Sequence, residues 1–324
     1  MQAIVMTGIG GPEVLVPRET PEPRPGPGEV LIRAEAIPVL YPETQLRSGA
    51  FPMTSPPPVV FGFQAAGEVI AVGEGVGTEY LGRRVVADTA GAGSYAESVC
   101  VRAESTTPIP AGVSTTDAAA VMMSGSVALA LLETAALTGT ETVLIEAGAT
   151  GVGSYLVQLA REFGAARVIA TAGSPDKARR AKELGADEVV DHRPEQWAGD
   201  LNSSADGAID IVFDSFGGTS ATTLLDTMTP GSGRMLSYGW LSGEPARVSA
   251  AELIPRGLTL TGCSGPAWHG RVGRARTAIL ERVPRLAPPV EAILPLDRAA
   301  EAHERVESRV PLGKIILRPD HAQP

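Results

Sequence analysis

The chain has 324 residues, 44% hydrophobic and 20% charged, which is ordinary globular usage and excludes a mini-protein, a fibrous protein or a largely disordered one. A formal net charge of -10, with no block of five or six like charges, leaves no footprint for nucleic acid or for an anionic membrane surface. Two cysteines, Cys100 and Cys263, are too few for a disulfide framework or a multi-cysteine zinc module and suit a reducing, cytoplasmic setting.

Residues 1–6 carry no basic region before their apolar residues, so they read as a buried strand and not as a secretory leader. Of the 27 prolines, 12 fall in the first 60 residues, and no helix is expected there. Alternating or apolar runs at 29–33, 66–72 and 84–87 predict short strands, in a mostly β module over residues 1–122. The uncharged stretch 118–132 is 15 residues long, short for a bilayer span, and is read as a core helix. From Glu141 the texture changes. A strand at 142–145 is followed by a helix at 151–163, a strand at 167–170, a helix at 176–184 entered through Ser174 and Pro175, and a strand at 188–190. Strand-like runs at 209–213, 234–237 and 258–260 are separated by helix-sized intervals, the rhythm of a parallel α/β sheet. Residues 314–317 form one more strand, able to return to the first module.

The strongest local signal is Glu146-Ala147-Gly148-Ala149-Thr150-Gly151-Val152-Gly153, between a predicted strand and a predicted helix. Glycines there let the backbone approach a pyrophosphate, whose charge the following helix N-terminus attracts. A strand-to-helix turn that merely needs glycine is the alternative, but the second strand and helix of a nucleotide-binding unit follow at the expected distance. A unit specific for NAD carries Asp or Glu at the end of its second strand, whereas this strand ends Ala172-Gly173-Ser174. Ser174 and Lys177 instead offer a hydroxyl and a cation to a 2′-phosphate, which points to NADPH. Lys177, one of only three lysines, has a solvated helix position as its plainer reading, and His192 is either a phosphate neighbour or a surface residue. The four histidines show no paired spacing and the cysteines do not cluster, so no zinc site is expected, and His269, His303 and His321 are read as solvated. Gly-x-Ser-x-Gly is absent, and no hydrolytic triad is readable.

In order and spacing these motifs resemble the zinc-free quinone oxidoreductase (zeta-crystallin-like) branch of the medium-chain dehydrogenase/reductase superfamily. Beside the glycine turn, the resemblance rests on Gly11-Pro12-Glu13-Val14-Leu15, Arg47-Ser48-Gly49, the run from Gly62 to Val69, Gly93-Ser94-Tyr95-Ala96-Glu97, Asp214-Ser215-Phe216-Gly217-Gly218 and Gly313-Lys314. It implies an α/β protein in which a GroES-like catalytic domain (1–122, with 291–324 returning to it) clasps a Rossmann cofactor domain (123–290). By the same resemblance, Gly148, Thr150, Gly151, Val152 and Gly153 line the pyrophosphate, and Ser174, Lys177 and His192 surround the 2′-phosphate, His192 standing where relatives often have Tyr. Ser215, Phe216, Tyr238 and Gly239 border the nicotinamide, and Lys314 reaches the cofactor. A homodimer through the sheet edge is also implied, and the segment between Gly257 and Cys263 is the candidate edge.

Departures from the family pattern bear on mechanism. Gly62-Phe63-Gln64 stands where zinc-dependent relatives have Gly-His-Glu. Leu40, Tyr41, Glu43 and Gln45 stand where zinc-free relatives often have Asn, an aromatic residue, Asp and Tyr, and Phe51 and Val127 replace a common Tyr and Thr. Tyr41 is the first candidate proton donor and Tyr238 the second, each equally open to a packing or cofactor-contacting role. Leu40, Tyr41, Gln45, Phe51, Phe61, Phe63, Trp240 and Trp268 are expected along an apolar pocket for a flat conjugated acceptor, with core filling as the alternative for several. The reading is an NADPH-dependent, zinc-free reductase of quinones or α,β-unsaturated carbonyl compounds. An ene-reductase or tailoring reductase of secondary metabolism and a catalytically silent NADPH-binding protein are the alternatives.

Overall fold

A computed structural model describes residues 1–53, 55–193, 197–204 and 209–320. The chain forms two compact units, Met1–Met123 with Arg276–Pro324, and Ser124–Ala275. His321 lies outside the described residues.

The first unit is organised on the strand Glu29–Pro38, in which Val30, Ile32, Ala34 and Ile37 are fully buried. It pairs antiparallel with Gln64–Val72 along one edge and with Ser98–Arg102 and Lys314–Arg318 along the other. Val290–Pro295, Arg84–Asp88 and Thr106–Pro108 extend the same sheet. The last strand joins it because Ile315, Ile316 and Leu317 are all fully buried, a burial that favours the packed position by about 1.5–3 kcal/mol per side chain. Gln2–Met6 forms a smaller sheet with Leu15–Glu19 and Val59–Val60.

Two expectations for this unit are corrected. The proline-rich beginning does contain a helix, Tyr41–Arg47, in which Pro42 occupies the first turn, where its missing N–H costs no hydrogen bond. Phe61, expected in an acceptor pocket, is 1% exposed and belongs to the hydrophobic core with Ile4, Met6 and Val39. Its backbone is tied to the first strand by its N–H, which donates to the Ile4 carbonyl at 3.0 Å, and its ring meets Tyr95 edge-on at 5.6 Å.

The second unit holds a six-stranded parallel sheet in the order Glu188–Asp191, Arg167–Ala172, Thr142–Ile145, Ile211–Asp214, Arg234–Ser237 and Thr259–Gly262. Its strands read as unbroken apolar runs because helices cover both faces, and Val143, Leu144, Ile145, Ile211, Val212 and Phe213 are all fully buried. Numbered within the unit, the order is 3-2-1-4-5-6, the doubly wound Rossmann arrangement. The winding reverses between Thr142–Ile145 and Ile211–Asp214, so ligands of such a sheet bind beyond the carboxyl ends of those two strands. The helix Gly151–Leu159 ends four residues sooner than its apolar pattern predicts, and residues 160–164 continue as turns.

The apolar stretch at 118–132 lies in the helix Thr115–Ala135, which leads from the first unit into the second. It is long and apolar enough to cross a membrane, but 78% of its most hydrophobic window is buried within the protein, as a core helix requires.

The core position of Phe61 predicts that Phe61→Ala lowers stability by about 3–5 kcal/mol, read as a lower denaturant midpoint. An unchanged midpoint would return Phe61 to the pocket.

Candidate active site

In the second unit the glycine turn leaves the buried strand Thr142–Ile145 and enters the helix Gly151–Leu159 with Thr150 at its N-cap position. Two of its glycines are fixed by packing. A Cβ on Gly148 would lie 2.6 Å from the Ala170 methyl, and one on Gly153 would lie 2.4 Å from the Ala147 carbonyl oxygen. Gly151 differs, for it has φ +52° and no atom within 4 Å of a built Cβ. An open approach therefore faces the first turn of a helix, whose first N–H groups have no partner within the helix.

Beyond the second strand, Ser174 caps the helix Pro175–Glu183, its Oγ accepting the Lys177 N–H at 3.3 Å. His192 follows the strand Glu188–Asp191 and packs edge-on against Phe216 with ring centroids 4.7 Å apart. Its Nε2 would be 3.1 Å from a Cβ on Gly173, and its Nδ1 is buried without a hydrogen-bond partner among the described residues. Burial lowers the His192 pKa, opposed by the Asp191 charge and reinforced by Lys177 and Arg193. Thus Ser174, Lys177, His192 and Phe216 are gathered at one end of the sheet. Arg193, next in the chain to His192 and paired with Asp191 through Nη2 at 2.5 Å, was not singled out in the sequence because only the fold brings the end of this strand to Lys177.

Ser215, Phe216, Tyr238 and Gly239 are also brought together. A Cβ on Gly239 would lie 2.7 Å from the Ser215 carbonyl oxygen, and the Tyr238 N–H donates to the Asp214 carbonyl at 3.0 Å. Burial, then the Glu146 charge, raises the Tyr238 pKa, so its hydroxyl keeps its proton. The Ser215 hydroxyl is buried beside that of Tyr238. Trp240, in the following loop, is 49% exposed.

The first unit holds a buried polar network that its sequence did not announce. Glu43 is fully buried at the start of the helix Tyr41–Arg47. Its Oε2 accepts the Leu40 N–H and the Tyr95 hydroxyl, each at 2.7 Å, and its Oε1 accepts the Phe63 N–H at 2.8 Å. Burial nevertheless pushes its pKa up to about 7, against the opposing pull of these donors and of Lys314. Lys314 is pushed down to about 8 by burial, with Glu43 acting the other way. The chain continues through His303, whose Nε2 is 3.0 Å from the Tyr95 hydroxyl and whose Nδ1 accepts from Arg47 Nε at 3.3 Å. Arg47 also holds the Gly10 carbonyl and Glu307.

Because Arg47 is always a donor, Nδ1 must be the acceptor and Nε2 the protonated nitrogen, which sets the direction Arg47 to His303 to Tyr95 to Glu43. Burial, then Arg47, pushes the His303 pKa down to about 3 and keeps the ring neutral. The expectation that His303 is solvated is corrected: it is fully buried, because the helix Ala299–Glu307 turns it toward Tyr95. His269 is exposed. Gly62 makes room for this network, since a Cβ there would come within 2.1 Å of the Tyr95 ring.

Around Glu43 stand several of the residues expected along the acceptor pocket. Leu40 is buried, while Tyr41, Gln45, Phe51 and Phe63 are half-buried. The Tyr41 hydroxyl accepts from Arg309 at 3.5 Å, and the Phe51 N–H donates to the Gln45 carbonyl at 3.1 Å. One signal for Glu43 was present: a carboxylate directly after a proline, at the start of a helix whose dipole favours it. Among the described residues, no group of three or more His, Cys, Asp or Glu is placed to hold a metal ion.

Comparison with known proteins agrees with this architecture. The family model described as alcohol dehydrogenase GroES-like domain matches residues 26–111, and that described as zinc-binding dehydrogenase matches residues 151–279. A quinone oxidoreductase of Pseudomonas aeruginosa is 37% identical over 78% of this chain and 78% of its own. A 2-haloacrylate reductase of a Burkholderia species is 32% identical over 98% of this chain and 99% of its own. The crystal structure of Escherichia coli quinone oxidoreductase complexed with NADPH superposes with a TM-score of 0.89 at 30% identity, covering 98% of this chain and all of that one, 100%. The fold and these relatives define an oxidoreductase. The chain belongs to the zinc-free quinone oxidoreductase branch of the medium-chain dehydrogenase/reductase superfamily.

The raised pKa of Glu43 carries a sign for stability. With about 4.5 when unfolded and about 7 when folded, its contribution is full below pH 4.5 and is lost as pH rises through 7, to about 3 kcal/mol. Glu43→Gln is expected to flatten that part of the profile when melting temperature is followed from pH 4 to 8, and an unchanged slope would assign the titration to another group.

Proposed function

We propose that this oxidoreductase uses NADPH to reduce a quinone or an α,β-unsaturated carbonyl compound by direct hydride transfer. Support comes chiefly from one observation: the open face of Gly151 at the winding reversal, with Ser174, Lys177 and His192 at the neighbouring strand ends and no carboxylate closing the second strand. The residues present fit such a dinucleotide, because a buried polar atom at this end of the sheet, His192 Nδ1, has no hydrogen-bond partner among the described residues. Residues 123–290 are assigned to cofactor binding, and 1–122 with 291–324 to catalysis.

NADPH, when bound, supplies a hydride and with it both electrons. The protein's own residues bind, orient and protonate. Gly148, Thr150, Gly151, Val152 and Gly153 offer the pyrophosphate a helix N-terminus, while Ser174, Lys177 and His192, joined by Arg193, hold the 2′-phosphate. Ser215, Phe216, Tyr238 and Gly239 flank the nicotinamide, and Lys314 is assigned to the cofactor. Leu40, Tyr41, Gln45, Phe51, Phe63 and Trp240 are assigned to the acceptor.

Tyr41 is the assigned proton donor, since the Tyr238 hydroxyl is held protonated by its surroundings. A quinone needs that donor less, because its reduced product is a stabilised phenolate that water protonates, whereas a reduced enone must gain its proton on carbon. The quinone oxidoreductase relatives favour the first acceptor, and the 2-haloacrylate reductase favours an activated carbon–carbon double bond. A homodimer is inferred from the outer strand Thr259–Gly262, whose exposed Thr259 and Thr261 leave an edge open to a second copy. The two free cysteines accord with a reducing cytoplasm.

The test is loss of nicotinamide absorbance with NADPH and with NADH over a panel of quinones, enones and 2-halo acids, in the presence and absence of a chelator. NADPH oxidation unaffected by the chelator supports the reading, and an absolute preference for NADH would overturn its cofactor. Lys177→Ala is expected to weaken NADPH by about tenfold or more while leaving NADH unchanged, as loss of a charge-assisted contact requires. Equal losses would remove Lys177 from the phosphate. Unchanged turnover of enones by Tyr41→Phe would remove Tyr41 as the acid.

A further inference from the structure

At the winding reversal, two carboxyl groups sit side by side in the protein interior. Glu146 ends the first strand and Asp214 ends the fourth, and both are at least 98% buried, with 2% and 0% exposed respectively. Glu146 Oε2 accepts the N–H groups of Ser215 at 2.9 Å and Phe216 at 3.0 Å, and its Oε1 accepts the Ser220 hydroxyl at 3.1 Å. Asp214 Oδ1 accepts the Gly217 N–H at 2.8 Å, but its Oδ2 is buried with no donor among the described residues. Neither carboxylate has a lysine or arginine partner among the described residues.

We propose that Glu146 and Asp214 share one proton, and that the protonated pair is the positioning element that locks the glycine turn to the 214–220 segment, so that dinucleotide affinity depends on its protonation. The orphaned Asp214 oxygen is satisfied only if its neighbour brings a proton to it, since two ionised carboxylates in contact cannot both be tolerated away from water. The groups facing the pair agree. Tyr238 is a neutral hydroxyl, Ser215 and Ser220 are uncharged, and Cys263, which faces Tyr238, is pushed up to about 11 by burial. Glu146 is itself pushed up to about 8, by burial first and then by the Asp214 charge.

The latch also explains a strained residue. Ala147, next to Glu146, has φ +51°, a left-handed conformation that is strained for a non-glycine residue. It is held from both sides, by the Glu146 carboxyl bonds to the fourth strand's loop and by the Ala147 N–H donating to Thr171 Oγ1 at 3.2 Å. Separation of the two carboxylates would free the Ser215 and Phe216 N–H groups and release the turn that carries Gly148 to Gly153.

The proposal rests on the glycine turn being the dinucleotide site, and two measurements separate them. In the first, melting temperatures of the ligand-free protein are compared with those of Glu146→Gln and Asp214→Asn from pH 5 to 9.5. Each amide can donate to the remaining carboxylate without a shared proton. The folded pKa of Glu146 is raised, so the pair's contribution is full below the unfolded value of about 4.5 and is lost as pH rises through about 8. The advantage of each variant over the wild type should therefore grow up to about pH 8 and then level. In the second, NADPH dissociation constants are measured over the same range. The ratio of the wild-type constant to that of Glu146→Gln should rise by about tenfold per pH unit above pH 8, a ratio in which the common titration of Lys314 cancels. A pH-independent difference in melting temperature would overturn the shared proton, and an alkaline loss of affinity retained in both variants would overturn the latch. Failure of the wild type to bind NADPH at every pH would overturn the cofactor reading, and the melting profiles would then decide the pair alone.

Discussion

The second unit is constrained above all by the reversal of winding between its first and fourth strands. Where adjacent parallel strands send their crossovers to opposite faces, the backbone beyond their carboxyl ends is not covered by either crossover, and its N–H groups need partners. Glu146 supplies them for Ser215 and Phe216, and Asp214 supplies one for Gly217. The same reversal opens the approach at Gly151, so the place that can admit a dinucleotide is also the place that must be braced. Gly148 and Gly153 complete the brace from below, since neither has room for a side chain.

The first unit meets a similar need with a similar device. Leu40, at the entry to the helix Tyr41–Arg47, and Phe63, just before the strand Gln64–Val72, turn their N–H groups to the protein interior, and one carboxylate, Glu43, takes both. Its remaining capacity is filled by Tyr95, whose hydroxyl is oriented in turn by His303 and Arg47. Such a network is strong because low dielectric strengthens each bond, and brittle because any member left unpaired is costly. Its edge-on aromatic contacts, Phe61 to Tyr95 at 5.6 Å and Tyr95 to His303 at 5.9 Å, tie it to the hydrophobic core. Placing Phe61 there removes one aromatic from the acceptor side and leaves Phe51 and Phe63 as its half-buried phenylalanines.

In the proposed function the two units divide the chemical work in a way that suits acceptor variety. Cofactor binding draws on backbone N–H groups and strand ends fixed by packing, whereas the residues assigned to the acceptor come from a short helix and its flanking loops. Loops positioned by a rigid scaffold tolerate change, which accords with relatives named for quinones in one case and a haloacrylate in another.

The sequence by itself determined the α/β class, the parallel-sheet rhythm and the glycine turn, because those depend on local periodicity and on residues that only a few backbone conformations accept. Val143 to Ile145 is an unbroken apolar run, and Gly148-Ala149-Thr150-Gly151-Val152-Gly153 is contiguous. Ser174 and Lys177 were legible for the same reason, lying a fixed distance beyond the second strand. The folded arrangement alone shows that Glu146 meets Asp214, 68 positions further along the chain, that Glu43 meets Tyr95, and that His303 is buried beside Arg47. Periodicity predicts which face of an element is buried. It does not predict which distant polar group shares that interior, because the pairing is set by strand order and by backbone approaches such as Gly62 to Tyr95, and these exist only once the chain has closed on itself.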